Sequence, residues 1–230
     1  MEIHGRNIEL VIFDLGGTTM EDKGQVPDAF STVLQSHGIE ITDESLRTVR
    51  GASKREVIRR FVESNRSGSE AQIRAESDEI FDEFRARLAD NLTKGSISAV
   101  PGAEDTFERL HSLGIKVAIN TGFDRAITGM ILGALRWDTS LVDAVACGDD
   151  VARGRPAPYL IFHAMESADV ASVHRVACVG DTALDLQAGW NAGVRWNIGV
   201  LSGAHDREQL ERVPHTHLLD SVALLPVLWE

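Results

Sequence analysis

The most informative stretch of the sequence is Ile8-Glu9-Leu10-Val11-Ile12-Phe13-Asp14-Leu15-Gly16-Gly17-Thr18-Thr19. Residues 8–13 form a short, mostly apolar run, which is typical of a β-strand that is buried on both faces. The aspartate, glycines and threonines that follow are typical of a loop that presents oxygen atoms and backbone amides. Because ligands of open parallel sheets bind beyond the carboxyl ends of the strands, Asp14 is the first candidate functional residue.

Similar apolar runs recur along the chain and alternate with helical patterns. The predicted strands after the first are Ile115–Asn120, Val142–Cys147, Val176–Val179, Val194–Val200 and, more weakly, His217–Leu219. The helical patterns are Ala103–Leu113, Arg125–Leu135, Pro158–Ser167, Leu184–Ala192 and Ser221–Leu228. This alternation predicts an α/β fold, in which helices cover both faces of a doubly wound, mostly parallel sheet. We therefore expect a Rossmann-like core.

The alternation is interrupted between residues 20 and 96, where only helical patterns are found. One helix starts near Pro27, and a second follows Thr42. A third opens with a capping box formed by Ser53 and Glu56. A fourth carries one apolar stripe, made of Ile73, Ile80, Phe81, Phe84 and Leu88. We predict a core of residues 1–19 and 97–230 and an inserted helical cap of residues 20–96.

Composition limits the classes of partner. The 230 residues include 23 Lys and Arg against 35 Asp and Glu, so the formal charge at pH 7 is −12 with neutral histidine. This acidic balance disfavours nucleic acid as a partner. No apolar run approaches the roughly 20 residues that a membrane helix needs, so we expect no membrane association and a cytoplasmic location. Cys147 and Cys178 form no CxxC motif and are expected to be buried thiols.

Carboxylates and a hydroxyl follow several of the predicted strands. Thr121 follows the second strand, Asp181 follows the fourth, and Asp185 comes four residues later. Each aspartate alone has an ordinary structural explanation, because Asp14 suits a turn and Asp181 or Asp185 suits a helix cap. Three converging carboxylates, however, would repel one another without a cation. Such oxygen ligands suit Mg²⁺, and a carboxylate beside Mg²⁺ suits phosphoryl transfer to an aspartate.

These residues resemble the four motifs of the haloacid dehalogenase superfamily, and the resemblance extends over nearly the whole chain. The motifs are, in order, residues 14–18, Thr121, residues 155–158 and Gly180-Asp181 with Asp185. The resemblance implies that Asp14 is a nucleophile and that Mg²⁺ is held by Asp14, the Gly16 carbonyl and Asp181, supported by Asp185. It implies a phosphoryl site made of Gly17, Thr18, Thr121, Gly122 and Arg155. The helical insert is similar to the mobile cap of that superfamily.

One position departs from the common pattern of the superfamily. Most of its phosphatases have a second aspartate two positions after the nucleophile, which exchanges protons with the leaving group and with water. Here that position is Gly16, which has no group to exchange protons. The closest resemblance is to the phosphonatase-like branch, which has a small residue there, an arginine in motif three and a cap lysine that forms a Schiff base with an aldehyde. Gly16, Arg155 and Lys54 match these three features.

Lys54 would have to be a free amine to attack an aldehyde, so its pKa must lie well below the usual value of about 10.4. If Ser53 is the N-cap, Lys54 is the first helical residue, where the helix dipole disfavours the ammonium form. Arg50 and Arg55 are expected to act in the same direction. The alternative explanation is a solvated lysine on the surface of a basic helix.

Two positions depart from the phosphonatase-like pattern. That branch has a methionine four residues before the lysine and a histidine three residues after it, whereas this chain has Arg50 and Val57. The departures leave the substrate open. Arg50 suits a second anionic group on the substrate, such as a carboxylate, and its alternative explanation is an ordinary surface arginine.

The sequence therefore predicts a hydrolase for a small phosphonate or phosphate. The first hypothesis is Mg²⁺-dependent hydrolysis of the C–P bond of an aldehyde phosphonate, with Lys54 as the Schiff base. The second is hydrolysis of a small phosphate ester without the lysine. The third is a non-catalytic module that senses phosphate or binds a partner, because Gly16 removes the usual acid and base. The resemblance also implies a homodimer formed through the cap.

Overall fold

A parallel β-sheet forms the centre of the molecule. The computed structural model describes residues 8–229, apart from the side chains of residues 43, 47 and 48. The strands are β1 (Leu10–Asp14), β2 (Lys116–Asn120), β3 (Ala144–Ala146), β4 (Val176–Gly180), β5 (Trp196–Val200) and β6 (His217–Leu219). They are all parallel and follow the order β3-β2-β1-β4-β5-β6. The order reverses beside β1, where an open α/β sheet forms its ligand crevice.

Nine α-helices accompany the strands within residues 8–229. The helices before β2 are α1 (Gln25–Ser36), α2 (Asp43–Thr48), α3 (Lys54–Asn65), α4 (Glu70–Lys94) and α5 (Ala103–Ser112). The later ones are α6 (Arg125–Leu135), α7 (Tyr159–Ser167), α8 (Ala183–Ala192) and α9 (Arg207–Glu211). The predicted α/β fold with a doubly wound parallel sheet is confirmed.

The sheet separates two apolar clusters, because successive residues of a strand point to opposite faces. Val11 and Phe13 of β1 belong to the larger cluster, whereas Leu10 and Ile12 belong to the smaller one beneath α7 and α8. On the larger side, the ring of Phe107 in α5 packs against Phe13 with centroids 5.1 Å apart. All five residues of β1 are buried, as its apolar run predicts.

Helices α1 to α4 interrupt the alternation between β1 and α5, where the sequence predicts an insert. Helix α4 packs against both α1 and α3. Its predicted apolar stripe is buried, and the ring of Phe84 lies 4.3 Å from that of Phe30 in α1. The division of the chain at residues 20 and 96 stays a prediction, and residues 1–7 of the predicted core lie outside the described residues.

The structure differs from the sequence prediction at several element ends. Strands β1 and β5 begin two residues later than predicted, at the first residue of each that is paired in the sheet. Residues 222–228 form a 3-10 helix instead of an α-helix, and Pro226 inside it has no N–H to donate. No predicted helix corresponds to α9, which is five residues long and begins with a capping box between Asp206 and Gln209.

Both cysteines are buried free thiols, as predicted. Burial raises the pKa of Cys147 to about 11, which keeps this thiol protonated and unreactive. Within residues 8–229, no helix has both the length and the apolar composition that a membrane span requires.

Phe107 offers a test of the larger apolar cluster, because it is fully buried and contacts both Phe13 and Trp137 at ring centroid distances of 5.1 Å. We expect Phe107→Ala to lower the free energy of unfolding by about 3–5 kcal/mol, measured by urea denaturation. Phe162→Ala on α7 is the control, because Phe162 is 43% exposed and should change stability by less than about 1 kcal/mol. Equal losses in the two variants would contradict this account of the core.

Candidate active site

The carboxyl ends of β1, β2 and β4 meet at one edge of the sheet. Asp14 ends β1 and is paired in register with Asn120, which ends β2. A cleft with about 710 Å³ of empty space, partly open to solvent, lies at this edge. The predicted site residues that line it are Asp14, Gly16, Arg50, Lys54, Thr121, Gly122, Arg155 and Asp181. The sheet and the helical insert therefore contribute to one cleft.

Arg155 joins the carboxylates of this edge. Its Nη2 lies 2.7 Å from Oδ1 of Asp14, and its Nη1 lies 2.5 Å from Oδ1 of Asp185. Nη2 also donates to the backbone and side-chain oxygens of Asn120, at 2.9 and 2.6 Å. Since Arg155 is 3% exposed, these ion pairs are buried and their geometry is fixed.

Asp14, Asp181 and Asp185 form a buried acidic cluster, in which one carboxylate oxygen of each residue lies within 4.8 Å of the others. Burial raises the pKa of Asp14, and the nearby Asp185 raises it further, although Arg155 opposes the rise. Burial also raises the pKa of Asp181, with added repulsion from Asp14 and Asp185. The cluster therefore has an excess of negative charge that Arg155 alone does not balance.

This donor set fits a hard divalent cation. Carboxylate oxygens at close range are the ligands that Mg²⁺ prefers, and a cation there would relieve the repulsion that raises both pKa values. Asp181 is oriented by the Ala204 amide, which donates to Oδ2 at 2.6 Å, and by the Thr18 hydroxyl, which donates to Oδ1 at 3.0 Å. Asp14 and Asp181 are thus positioned to hold Mg²⁺, and the metal itself stays a prediction.

Asp185 has a structural role and an electrostatic role at the same time. It completes the capping box at the start of α8, where its Oδ2 accepts hydrogen bonds from the Thr182 hydroxyl at 2.5 Å and the Thr182 amide at 3.1 Å. Its other oxygen pairs with Arg155. Because both oxygens are engaged by the protein, Asp185 supports the site chiefly by holding Arg155.

The loop after β1 packs tightly behind Asp181. Gly17 has a φ of +88°, and a Cβ there would lie 2.5 Å from Oδ2 of Asp181, so only glycine fits. Its amide donates to the Met20 carbonyl at 2.7 Å, and the Thr18 hydroxyl is engaged by Asp181. Contact of Gly17 or Thr18 with a phosphoryl group therefore stays a prediction. The Thr121 hydroxyl accepts from the Phe123 amide at 3.2 Å, which leaves its proton to donate into the cleft.

Lys54 is the first residue of α3 and lies in the cleft rather than on an open surface. Ser53 caps the helix, as predicted, by accepting a hydrogen bond from the Glu56 amide. The Lys54 Nζ donates to the Ala52 carbonyl at 3.2 Å and lies 5.1 Å from the centroid of the Phe123 ring. Burial lowers the pKa of Lys54 to about 8, the attraction of Asp14 partly opposes this, and Arg155 adds to the lowering.

Arg50 and Arg55, which the sequence suggests as the cations that lower the pKa of Lys54, are not among the main causes of its shift. Burial is the main cause, and the effective cation is Arg155. The Arg55 guanidinium lies 4.3 Å from the centroid of the Phe81 ring and pairs with Asp78, so its charge is engaged within the insert. Sequence proximity is a poor guide here, because it does not show which side chains the fold places around the amine.

The predicted capping box of α3 is only half formed. Glu56 does not bond back to Ser53, because its Oε1 accepts a hydrogen bond from the Gly154 amide at 2.7 Å. The Lys54 amide donates to the Gly122 carbonyl at 3.4 Å. A Cβ on Gly122 would lie 2.6 Å from the Ala52 carbonyl oxygen, so this close approach requires glycine. These contacts fix the start of α3 against the sheet edge, next to Arg155.

Comparison with known proteins agrees with the motifs. A family model described as haloacid dehalogenase-like hydrolase matches residues 11–198. The chain belongs to the haloacid dehalogenase-like hydrolases. The matched span of this hydrolase contains all four motifs, from Asp14 to Asp185.

Individual relatives extend the comparison. A phosphonoacetaldehyde hydrolase of Bacillus cereus is 30% identical over 207 residues, covering 86% of this chain and 78% of the relative. A phosphonoacetaldehyde hydrolase-like protein from Oleispira antarctica has a crystal structure that matches with a TM-score of 0.82 and 25% identity, covering 96% and 91% of the two chains. A β-phosphoglucomutase from Clostridium difficile, with a TM-score of 0.80 and 21% identity over 95% and 93%, supports the fold alone.

Several residues around the site of this haloacid dehalogenase-like hydrolase were not predicted. Asn120 binds Arg155, and its register position beside Asp14 is the signal that could have indicated it. The Ala204 amide binds Asp181 from a loop 23 residues away in the sequence, and no sequence signal indicates this contact. Asp22 and Phe123 also line the cleft.

We expect millimolar Mg²⁺ to raise the melting temperature of the protein at pH 8. The rise should shrink as the pH falls, because protons compete with the metal for carboxylates whose pKa is raised. At a concentration of about 100 times Kd, a ligand stabilises by about 2.7 kcal/mol. Asp181→Asn should lose most of this increment, whereas Asp220→Asn, a change at an exposed residue, should keep it. An unchanged increment in Asp181→Asn would contradict the metal site.

We expect Asp14→Asn to lower the pKa of Lys54 below its value of about 8, because the Asp14 carboxylate stabilises the ammonium form. Labelling with an amine-acylating reagent across a pH series, read at Lys54 by peptide mass spectrometry, gives the midpoint directly. Lys94, which is 74% exposed at its side chain, corrects for reagent reactivity in the same digest. A midpoint that rises in Asp14→Asn would show that the two groups do not interact as the structure indicates.

Proposed function

We propose that this hydrolase cleaves the C–P bond of a small aldehyde phosphonate, with Asp14 as nucleophile and Lys54 as the amine that activates the carbonyl group. The observation that carries the proposal is that Lys54 and Asp14 line the same cleft while the usual acid position is Gly16. With a pKa of about 8, roughly one tenth of Lys54 is free amine at pH 7. The free amine is the form that attacks an aldehyde.

The first step of this reaction forms the electron acceptor. The Lys54 amine adds to the aldehyde carbon, and loss of water gives an iminium ion. An Asp14 oxygen then attacks phosphorus and the C–P bond breaks, with its electron pair passing to the iminium to give an enamine. Protonation and hydrolysis of the enamine release the carbon fragment, and water releases phosphate from Asp14. No acid at Gly16 is needed, because the leaving group is an enamine rather than an alkoxide.

The phosphoryl group would be held by residues that line the cleft. Arg155 contributes a buried Nε that has no hydrogen-bond partner among the described residues, and Thr121 contributes a hydroxyl. Arg155 also holds Asp14 in a fixed orientation. Mg²⁺ bound by Asp14, the Gly16 carbonyl and Asp181 would supply positive charge to the phosphoryl oxygens.

The names of the relatives support this proposal without deciding the substrate. The curated relative that is 30% identical carries the name phosphonoacetaldehyde hydrolase. Val57 stands where that pattern has a histidine, and a valine side chain cannot carry a proton. Val57 is also buried, at 1% exposure. That observation favours the second candidate, a small phosphate-ester phosphatase that does not use Lys54. Membership of a hydrolase family disfavours the third hypothesis, a non-catalytic module.

The proposed chemistry is tested by incubation with Mg²⁺ and phosphonoacetaldehyde, with phosphate measured as product. We expect Lys54→Arg to reduce kcat/KM roughly 10³-fold or more, because a covalent catalyst is lost. Borohydride should trap an adduct at Lys54. Asp14→Asn should release no phosphate and still give the adduct, because the carbonyl step precedes attack on phosphorus. Lys94→Arg serves as the matched control.

Two outcomes separate the candidates. Absence of both phosphate and adduct would remove C–P hydrolysis of this aldehyde. If Lys54→Arg retains turnover of a phosphate-ester panel while Asp14→Asn abolishes it, the protein is a phosphatase that uses the same nucleophile. The homodimer remains a prediction that sedimentation of the purified protein can test.

A further inference from the structure

One wall of the cleft is apolar except for a single charged pair. Its apolar side chains belong to Val26, Pro27, Phe30, Leu46 and Val49. Asp22 and Arg50 lie in the same lining and face each other. The cleft therefore combines the phosphoryl-binding groups of the sheet edge with a second charged region that the proposed reaction does not use.

The described residues offer the Arg50 guanidinium few hydrogen-bond acceptors. Its Nη1 lies 3.8 Å from Oδ2 of Asp22, which is too long for a hydrogen bond. Its Nε is shielded from solvent and has no hydrogen-bond partner among the residues that the structure describes. A shielded N–H group without an acceptor lowers stability, and a ligand bound in the cleft beside Arg50 would supply one. The Arg50 side chain is 33% exposed, so its guanidinium lies where a ligand in the cleft can reach it.

The charges of this region favour a carboxylate. The N–H groups of a guanidinium match the two oxygens of a carboxylate in a bidentate pair. Asp22 lies beside Arg50, so the pair has no net charge that would offset the desolvation of a second phosphoryl dianion, which costs more than the desolvation of a carboxylate monoanion. Asp14, Thr121 and Arg155, at the sheet edge, are the residues already proposed to hold the phosphoryl group. A ligand that engages both regions thus carries a phosphoryl group and a carboxylate.

We propose that Arg50 binds a carboxylate on the carbon fragment of the substrate, which makes the substrate class small phosphonates that bear both a carbonyl group and a carboxylate. This inference rests on the proposed function for the steps at phosphorus and at the carbonyl carbon. The bonds that change are the same: the C–P bond breaks, its electron pair passes to the Lys54 iminium, and water supplies the oxygen of phosphate and the proton on carbon. The second product is then an oxo acid.

The carboxylate site can be tested by binding alone, with probes that have no aldehyde or ketone group and therefore do not turn over. Calorimetric titration with Mg²⁺ present compares 3-phosphonopropionate with propylphosphonate, which replaces the carboxylate by a methyl group. We expect the wild-type protein to bind 3-phosphonopropionate at least 10-fold more tightly. Arg50→Met should bring this ratio close to 1, and Arg60→Met, which removes an exposed arginine from the same insert, should leave it unchanged.

The wild-type ratio needs no variant, so the test holds even if Arg50→Met fails to fold. A ratio close to 1 in the wild type, or an unchanged ratio in folded Arg50→Met, overturns the inference. Turnover gives an independent arm, in which we expect 3-phosphonopyruvate to have a KM at least 10-fold lower than phosphonoacetaldehyde, and Arg50→Met to remove the difference. If neither compound is hydrolysed while the binding ratio is intact, the proposed function fails and the carboxylate site stands.

Discussion

The buried arrangement of Arg155 between Asp14 and Asp185 is the interaction on which the rest of the site depends. Three carboxylates at one sheet edge repel one another, and a single guanidinium bonded to two of them makes their burial tolerable. The same contacts hold the Asp14 oxygen in one orientation, as its proposed role as nucleophile requires. The negative charge that Arg155 does not balance is the charge that the proposed cation would neutralise.

The position of Lys54 is a second consequence of that edge. The start of α3 reaches the sheet edge because Gly122 permits the close approach of Ala52 and because Glu56 bonds to the Gly154 amide. Burial there lowers the pKa of the amine, while Asp14 across the cleft limits the effect. An acid and a base with pKa values displaced toward each other share one cleft, which is the usual condition for chemistry at neutral pH.

Two positions distinguish the cleft: Gly16 stands where most phosphatases of the superfamily have an acid, and Arg50 stands where the phosphonatase-like branch has a methionine. Gly16 has no group that could transfer a proton to an alkoxide, and Arg50 adds a cation to an apolar wall of the cleft. In the proposed reaction both positions act on the leaving group rather than on the phosphoryl group. The residues at the sheet edge match the motifs of the family, whereas Arg50, between α2 and α3, is the residue proposed to select the carbon fragment.

The sequence by itself determined the strands, the parallel sheet and the convergence of Asp14, Thr121 and Asp181. The spacing of apolar residues along the sequence indicates which segments are buried strands, and the carboxyl ends of parallel strands lie at one edge of the sheet. Only the tertiary structure decided that Asn120 and Ala204 hold Arg155 and Asp181, that Glu56 bonds to Gly154 instead of its own helix, and that burial and Arg155 lower the pKa of Lys54. Those contacts join residues that are far apart in the sequence. A local sequence pattern does not show which distant residues the fold brings together.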